Sequence, residues 1–230
     1  MRIHNPMTWT RRHFTASLTV AMLAGPFGFG HGFAQAESAP PNGSQETILV
    51  VGDSLSAEYG VERGRGWVSL LAQKLAKEQP GLKVHNAGIS ADTTAGGLGR
   101  LPSLLRRHQP AVVILELGAN DALRGLPLSA TEQNLVRMID LAKGAGAKVL
   151  LVGMQVPPNY GQKYTDEFRD LFPRLAKDQR VPLVPFLLKN VADAQNPADL
   201  FQSDRMHPNE DAQPLLLDNV WPELSKLLPA

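Results

Sequence analysis

Cysteine is missing from all 230 residues. That excludes disulfides, thiolate metal sites, a cysteine nucleophile and a lipidated N-terminal cysteine, although it names no compartment. An excess of one charge is missing too: 23 Lys and Arg stand against 22 Asp and Glu, a formal net charge of +1. No basic cluster stands out, so no field is available to hold nucleic acid. An unbroken membrane-length run is also absent, because the apolar stretch from Phe14 to Phe33 is interrupted by Pro26, His31 and several glycines. No G-x-G-x-x-G fingerprint follows the first strand pattern, which removes a flavodoxin-like cofactor binder. No metal-ligand spacing is present either. What remains, 43% hydrophobic and 20% charged, suits one globular domain with a full core.

The N-terminus has its own character. Arg2, Arg11 and Arg12 precede an apolar, small-residue stretch, and "AQA" (Ala34–Ala36) precedes "ESAPPNGSQ". A basic segment, an apolar segment and an A-x-A site describe a secretory signal peptide over residues 1–36. "TRRHF" (Thr10–Phe14) also reads as a twin-arginine signal, with an ordinary export signal as the plainer alternative. The expected location is periplasmic or secreted. Residues 37–46 are rich in Pro, Ser, Asn and Gly and read as a flexible lead-in, leaving one domain over 47–230.

From residue 47 the pattern alternates. Strands are expected at 47–52, 82–88, 111–121, 147–154 and 181–186, the third ending in a polar turn. Helices are expected at 67–78, 96–109 (with Pro102 near its start), 131–146 with Thr131 as N-cap, 165–179 and 209–228. Such alternation implies right-handed βαβ units, hence an α/β fold: a three-layer α/β/α sandwich around a five-stranded parallel sheet. The flavodoxin-like strand order 2-1-3-4-5 is the topology that five such strands suggest. Ligands of open α/β sheets bind beyond the carboxyl ends of the strands. Those ends here are Gly52-Asp53-Ser54, Asn86-Ala87-Gly88, Gly118-Ala119-Asn120-Asp121 and the Gly153–Pro158 turn.

Ser54 follows the first apolar strand directly. A serine hydroxyl needs an adjacent base, usually a histidine held in one tautomer by a carboxylate. Three histidines follow the signal: His85 within a strand, His108 at a helix end beside Arg106 and Arg107, and His207 in the turn "QSDRMHPNED". Asp204 precedes His207 by three residues, a spacing that can set the carboxylate against Nδ1 and leave Nε2 facing a serine. Taken alone, Asp-x-x-His-Pro equally describes a capped turn with a solvated imidazole. An oxyanion stabiliser is also needed. The Asn120 amide and the backbone N–H groups of Ser54 and of the turn after the second strand can supply one, although "GAND" alone is also an ordinary turn.

Together "GDSLS", "NAGISADTTAGGL", "ELGANDALRG" and "DRMHPN", in that order, resemble the SGNH (GDSL) hydrolases, most of all the secreted arylesterase and thioesterase I/lysophospholipase subgroup. The likeness runs through nearly all of residues 47–228, including "QVPPNYG" and "HPNEDAQP". It implies Ser54 as nucleophile, His207 as general base and acid, and Asp204 as the group orienting it. It implies an oxyanion hole from the Ser54 N–H, the Asn120 side chain and a third N–H, at a position that is glycine in the family and Ala91 here. At negative φ Ala91 serves as well as glycine; at positive φ it strains the hole by roughly 1 kcal/mol. Leu123, Leu126, Pro157 and Tyr160 are the implied apolar substrate contacts. Glu58 and Arg205 depart from the family pattern and read as solvated charges, and Asp53 as a residue that bonds turn amides.

The implied activity is hydrolysis of carboxylic esters through an acyl-serine: aryl esters, short to medium acyl esters, thioesters or lysophospholipids. No cofactor, nucleic-acid partner or stable membrane insertion after signal removal is implied. A carbohydrate O-acetyl esterase and a catalytically silent binding protein on the same fold are the alternatives.

Overall fold

The structure, a computed structural model, describes residues 46–228. The export signal, its cleavage site and nearly all of the lead-in lie outside the described residues. Strand β1 (Glu46–Gly52) is followed by α1 (Trp67–Glu78), β2 (Leu82–Asn86) and α2 (Thr94–His108). Then come β3 (Val112–Glu116), α3 (Ala119–Leu123), α4 (Leu128–Gly144) and β4 (Lys148–Val152). The chain ends through α5 (Gln162–Gln179), β5 (Leu183–Val184) and α6 (Gln213–Leu224). All five strands are parallel, in the order β2-β1-β3-β4-β5, as expected.

The centre of the sheet is buried on both faces because β1, β3 and β4 are apolar along most of their length, whereas the edge strand β2, LKVHN, is partly exposed. Ile48 to Val51, Val112 to Leu115 and Leu150 to Leu151 have no measurable exposure. A strand of that kind cannot tolerate water on either side, and the helices supply the cover. Helix α1 presents Trp67, Val68, Leu71 and Leu75 on one stripe and packs beside α6. Helices α2, α4 and α5 pack side by side. Right-handed crossovers place these two sets on opposite faces, because the chain steps from β1 to β2 in one direction and from β2 to β3 in the other. That reversal opens a crevice at the carboxyl ends of β1 and β3.

Several local expectations are corrected. Strand β3 stops at Glu116, and Asn120-Asp121 belongs to the short helix α3 rather than to a turn. Helix α4 starts at Leu128 behind Pro127, and Thr131 is not its N-cap. The Thr131 side chain is buried, with its hydroxyl 3.4 Å from the Asp121 carboxylate. Helix α2 begins at Thr94, two residues early, because Thr93 caps it by accepting from the Gly96 N–H. Pro102 therefore lies inside that helix rather than near its start. Helix α6 is shorter than its apolar pattern, since Asn209 to Ala212 form turns before Pro214. Among the described residues no helix is long and apolar enough to cross a membrane.

Candidate active site

The turn after β1 is fixed from beneath. Gly52 allows close approach there: a Cβ on it would sit 2.5 Å from Ser56 Oγ and 2.7 Å from Glu116 Oε2. The Ser56 hydroxyl donates to Glu116 Oε2 at 2.7 Å, and the Asp53 N–H donates to the same oxygen at 3.3 Å. Above this anchor the chain winds into a tight turn, with the Ala57 N–H donating to Asp53 O and the Tyr59 N–H to Ser54 O. Ser54 is left at the mouth of the crevice.

The second piece of the site comes from the far end of the chain. Phe201 and Pro208 form an antiparallel bridge, and the Gln202 N–H donates to His207 O at 2.8 Å. At the tip, Asp204 Oδ1 accepts from the Met206 and His207 N–H groups at 2.9 and 3.0 Å. Its Oδ2 lies 2.7 Å from His207 Nδ1, and His207 Nε2 lies 2.9 Å from Ser54 Oγ. Donation from the His207 backbone N–H, then from its ring and the Met206 N–H, outweighs burial and holds the Asp204 carboxyl at about 2. A carboxylate there keeps the ring proton on Nδ1, so that Nε2 presents its lone pair to the serine hydroxyl. Tyr59 covers the imidazole, with ring centroids 4.5 Å apart. His85 and His108 stack on each other, centroids 3.8 Å apart, and take no part in this cluster.

The third piece comes from β2–α2 and α3. Asn120 Nδ2 donates to Asp53 Oδ2 at 3.1 Å and to Asp92 O at 3.0 Å. Both of its N–H groups are thus engaged, and an arriving oxygen must displace one of these acceptors. Asp121, next to it, turns inward and accepts from the Thr94 N–H at 2.9 Å, at the positive end of α2. Ala91 adopts φ of 63°, the strained branch of the expectation. An L-residue there costs about 1–2 kcal/mol. The surroundings hold it: Arg124 Nη2 donates to Ala91 O at 2.7 Å, and Asp92 pairs with Arg100 at 2.9 Å.

Two buried carboxyls lie under Ser54. Burial, reinforced by the Asp53 charge, pushes Glu116 well above the usual carboxylate range. Burial also raises Asp53, to about 6, against the opposing Leu55 N–H and His207. Asp53 does bond a turn amide, accepting from Leu55 N–H at 3.0 Å. Its bond to Asn120 was not foreseen. The signal for Glu116 was present: one acid inside "VVILELG", an otherwise apolar strand.

A groove of about 920 Å³ opens over Ser54. Leu123 and Pro157 line it, but Leu126 and Tyr160 do not; these two are 38% and 37% exposed outside its lining. The Leu126 backbone is instead tied to Asp121 O and to the Tyr164 hydroxyl, which keeps that residue at the outer end of its loop. Much of the apolar lining is Met154, Val156, Phe186, Leu188 and Phe201. Three of these sit in or beside the irregular stretch between β5 and α6, where no periodicity marks an apolar side chain as lining. Glu58 is also corrected. It is no solvated charge, because its carboxylate accepts from the Gly64 and Gly66 N–H groups and from Ser69 Oγ. Burial opposes its ionisation, yet those donors hold it below its ordinary value. Arg205 is exposed at the groove's edge. Among the described residues no three His, Asp or Glu side chains are placed to hold a metal ion.

A model of the GDSL-like lipase/acylhydrolase family matches residues 50–213. The chain is 49% identical over 183 residues to esterase TesA of Pseudomonas aeruginosa, covering 80% of this chain and 90% of that one. It is 42% identical over 183 residues to thioesterase 1/protease 1/lysophospholipase L1 of Escherichia coli K12, covering 80% and 85%. A solved structure of the psychrotrophic esterase EstA from Pseudoalteromonas sp., inhibited by monoethylphosphonate, superposes with a TM-score of 0.74 at 39% identity. It covers 79% of this chain and 97% of that one.

Two consequences are measurable. Asp53 titrates near 6 when folded and near 3.8 when free, so the native state holds a proton between these values that the unfolded chain has lost. Its contribution to stability is complete below about 4 and disappears as pH rises through 6, a loss of a few kcal/mol. Asp204 works in the opposite sense, losing its contribution as pH falls toward 2. Chemical denaturation should therefore show stability falling from about pH 4 to 6, and Asp53→Asn should flatten that slope; an unchanged slope would refute the assignment. Ala91→Gly relieves the positive φ and should raise stability by about 1 kcal/mol, or less once the greater freedom of unfolded glycine is counted, at equal or higher turnover. A large loss of turnover would show instead that the methyl group shapes the groove.

Proposed function

The chain belongs to the GDSL-like lipase/acylhydrolase family of carboxylic ester hydrolases, and from that premise we propose that Ser54, His207 and Asp204 form its catalytic triad. Ser54 Oγ attacks the acyl carbon while His207 Nε2 takes its proton. The imidazolium that results faces the Asp204 carboxylate across 2.7 Å. The oxyanion is held by the Ser54 and Ala91 N–H groups and by Asn120 Nδ2, which gives up its contact with Asp53 to do so. His207 then returns the proton to the leaving oxygen or sulfur, and an acyl-serine remains. Water, deprotonated by the same imidazole, attacks the acyl carbon, and His207 returns that proton to Ser54 Oγ as the ester bond breaks, releasing the acid and free Ser54. The observation that carries the reading is the continuous path Asp204–His207–Ser54, with both links under 3 Å.

The substrates are carboxylic esters and thioesters of short to medium acyl chains, aryl esters and lysophospholipids among them. In support, a groove of about 920 Å³ with an apolar lining exceeds what an acetyl group requires. The printed names of the relatives, esterase and thioesterase/lysophospholipase, point the same way. Residues 1–36 act as an export signal, twin-arginine or ordinary, and the enzyme works in the periplasm or outside the cell, as one domain from residue 47 onward. The three arginines and the A-x-A site support this.

The test pairs covalent labelling with a chain-length series. A fluorophosphonate should label Ser54, and p-nitrophenyl esters should be cleaved faster from acetyl toward medium chains. Ser54→Ala should lose both labelling and turnover. Asn120→Ala should lower kcat about 10²–10³-fold with little change in KM. Parental kcat in that variant would remove Asn120 from the oxyanion hole, and an acetyl-only profile would sink the proposed acyl preference.

A further inference from the structure

The triad bridges two pieces of chain with no covalent reason to stay in register: Ser54 and His207 are 153 residues apart. A proton moves between them only while their separation stays within hydrogen-bond reach. Gln202 is placed to fix that separation. Its Nε2 donates to Tyr59 O at 2.8 Å and to Pro208 O at 3.0 Å. Its backbone N–H donates to His207 O at 2.8 Å, and its own carbonyl accepts from the Arg205 N–H at 2.9 Å. One residue thus grips the histidine turn from within and reaches across to the nucleophile turn.

The far end of that reach is tied to the nucleophile. The Tyr59 N–H donates to Ser54 O, so the carbonyl that Gln202 binds belongs to the same turn as the nucleophile. The Tyr59 ring lies on His207, 4.5 Å between centroids, which makes the two turns share a second face. Gly60 supplies the space. At φ of 67° it accepts no side chain readily, and a Cβ would lie only 2.0 Å from Gln202 Oε1.

We infer that Gln202 is a positioning residue, whose carboxamide sets the distance between the Ser54 hydroxyl and the His207 imidazole by bonding both turns at once. It touches neither substrate nor the reacting atoms, and the inference rests on the catalytic reading of Ser54 and His207 given above. A leucine of similar size keeps the packing and removes both donors. A glutamate keeps the length and sets acceptors against two carbonyls. With either, the histidine turn recedes and proton transfer slows while the groove is left as it was.

The experiment uses the whole mature chain with Gln202→Leu and Gln202→Glu, the second variant guarding against a folding defect in the first. Fluorophosphonate labelling rate per folded molecule, kcat, KM and Tm are measured in parallel with the parent. Labelling and kcat should fall together by about 10- to 100-fold, the scale of a misplacement near 1 Å, with KM nearly unchanged. Parental labelling rates and kcat in both variants would overturn the inference. So would a fall in activity that follows Tm alone, with the folded fraction labelling at the parental rate. Failure of the parent itself to label at Ser54 is a separate result: it removes the nucleophile assignment, and the role of Gln202 falls with it.

Discussion

A 2.9 Å contact between an imidazole nitrogen and a serine hydroxyl is what the surrounding architecture has to maintain. Neither turn that meets there is regular structure, so neither is positioned by a helix or strand ladder of its own. The sheet solves half of the problem. Strand β1 runs fully buried up to Gly52 and delivers Ser54 to the crevice where the strand order reverses. The other half falls to the bridge between Phe201 and Pro208 and to the two N–H donors that hold the Asp204 carboxylate. That carboxylate is organised before any substrate arrives, and an imidazole already turned toward its partner needs little reorganisation during the reaction.

The unusual part of the design is the charge beneath the serine. Glu116, 3% exposed, is held well above the usual carboxylate range by its burial, and it serves as a hydrogen-bonding post for Ser56 and the Asp53 N–H. Burial raises Asp53, 1% exposed, to about 6, and the nearby Asp92 charge adds to the rise. The stability lost by burying Asp53 charged is the counterpart of holding the Asn120 amide in one orientation. An amide with no fixed acceptor can turn its oxygen, rather than its nitrogen, toward the reacting carbonyl.

Much of this was legible in the sequence, and what was not has identifiable reasons. Helix α1 matches its expected bounds because Trp67, Val68, Leu71 and Leu75 mark one stripe unambiguously. The parallel sheet followed from strict alternation, its strand order was the topology that five such strands suggest, and the meeting of Ser54, Asp204, His207 and Asn120 followed from four short motifs in series. Thr131 misled because a threonine before an apolar run resembles a cap, whereas here the tertiary demand of Asp121 claims the hydroxyl. Glu58 and Gln202 were invisible for another reason. Apart from the Ser69 hydroxyl on Glu58, their partners are backbone groups of distant or irregular segments, and no side-chain pattern records where a backbone N–H or carbonyl will be. The apolar wall contributed by Phe186, Leu188 and Phe201 had no period to announce it, since it is built from a connection rather than an element.

The position of Asp53 bears on how charge is handled along the reaction. In the resting site its carboxylate is bonded to Asn120 and lies within electrostatic reach of His207. In the proposed mechanism, when the serine proton moves, a cation forms on the imidazole at the same time as an anion forms on the substrate oxygen. Asp53 favours the first and opposes the second, so its net effect depends on distance to each. On the proposed mechanism the Asn120 N–H passes from Asp53 to the oxyanion, while the attraction of Asp53 for His207 persists. On that proposal the carboxylate that orients the amide at rest yields it during the reaction, while the strained Ala91 turn, held by Arg124, presents its N–H without comparable movement. One donor in the proposed hole is exchangeable and another is fixed, which places the reorganisation of the site in the Asn120–Asp53 contact.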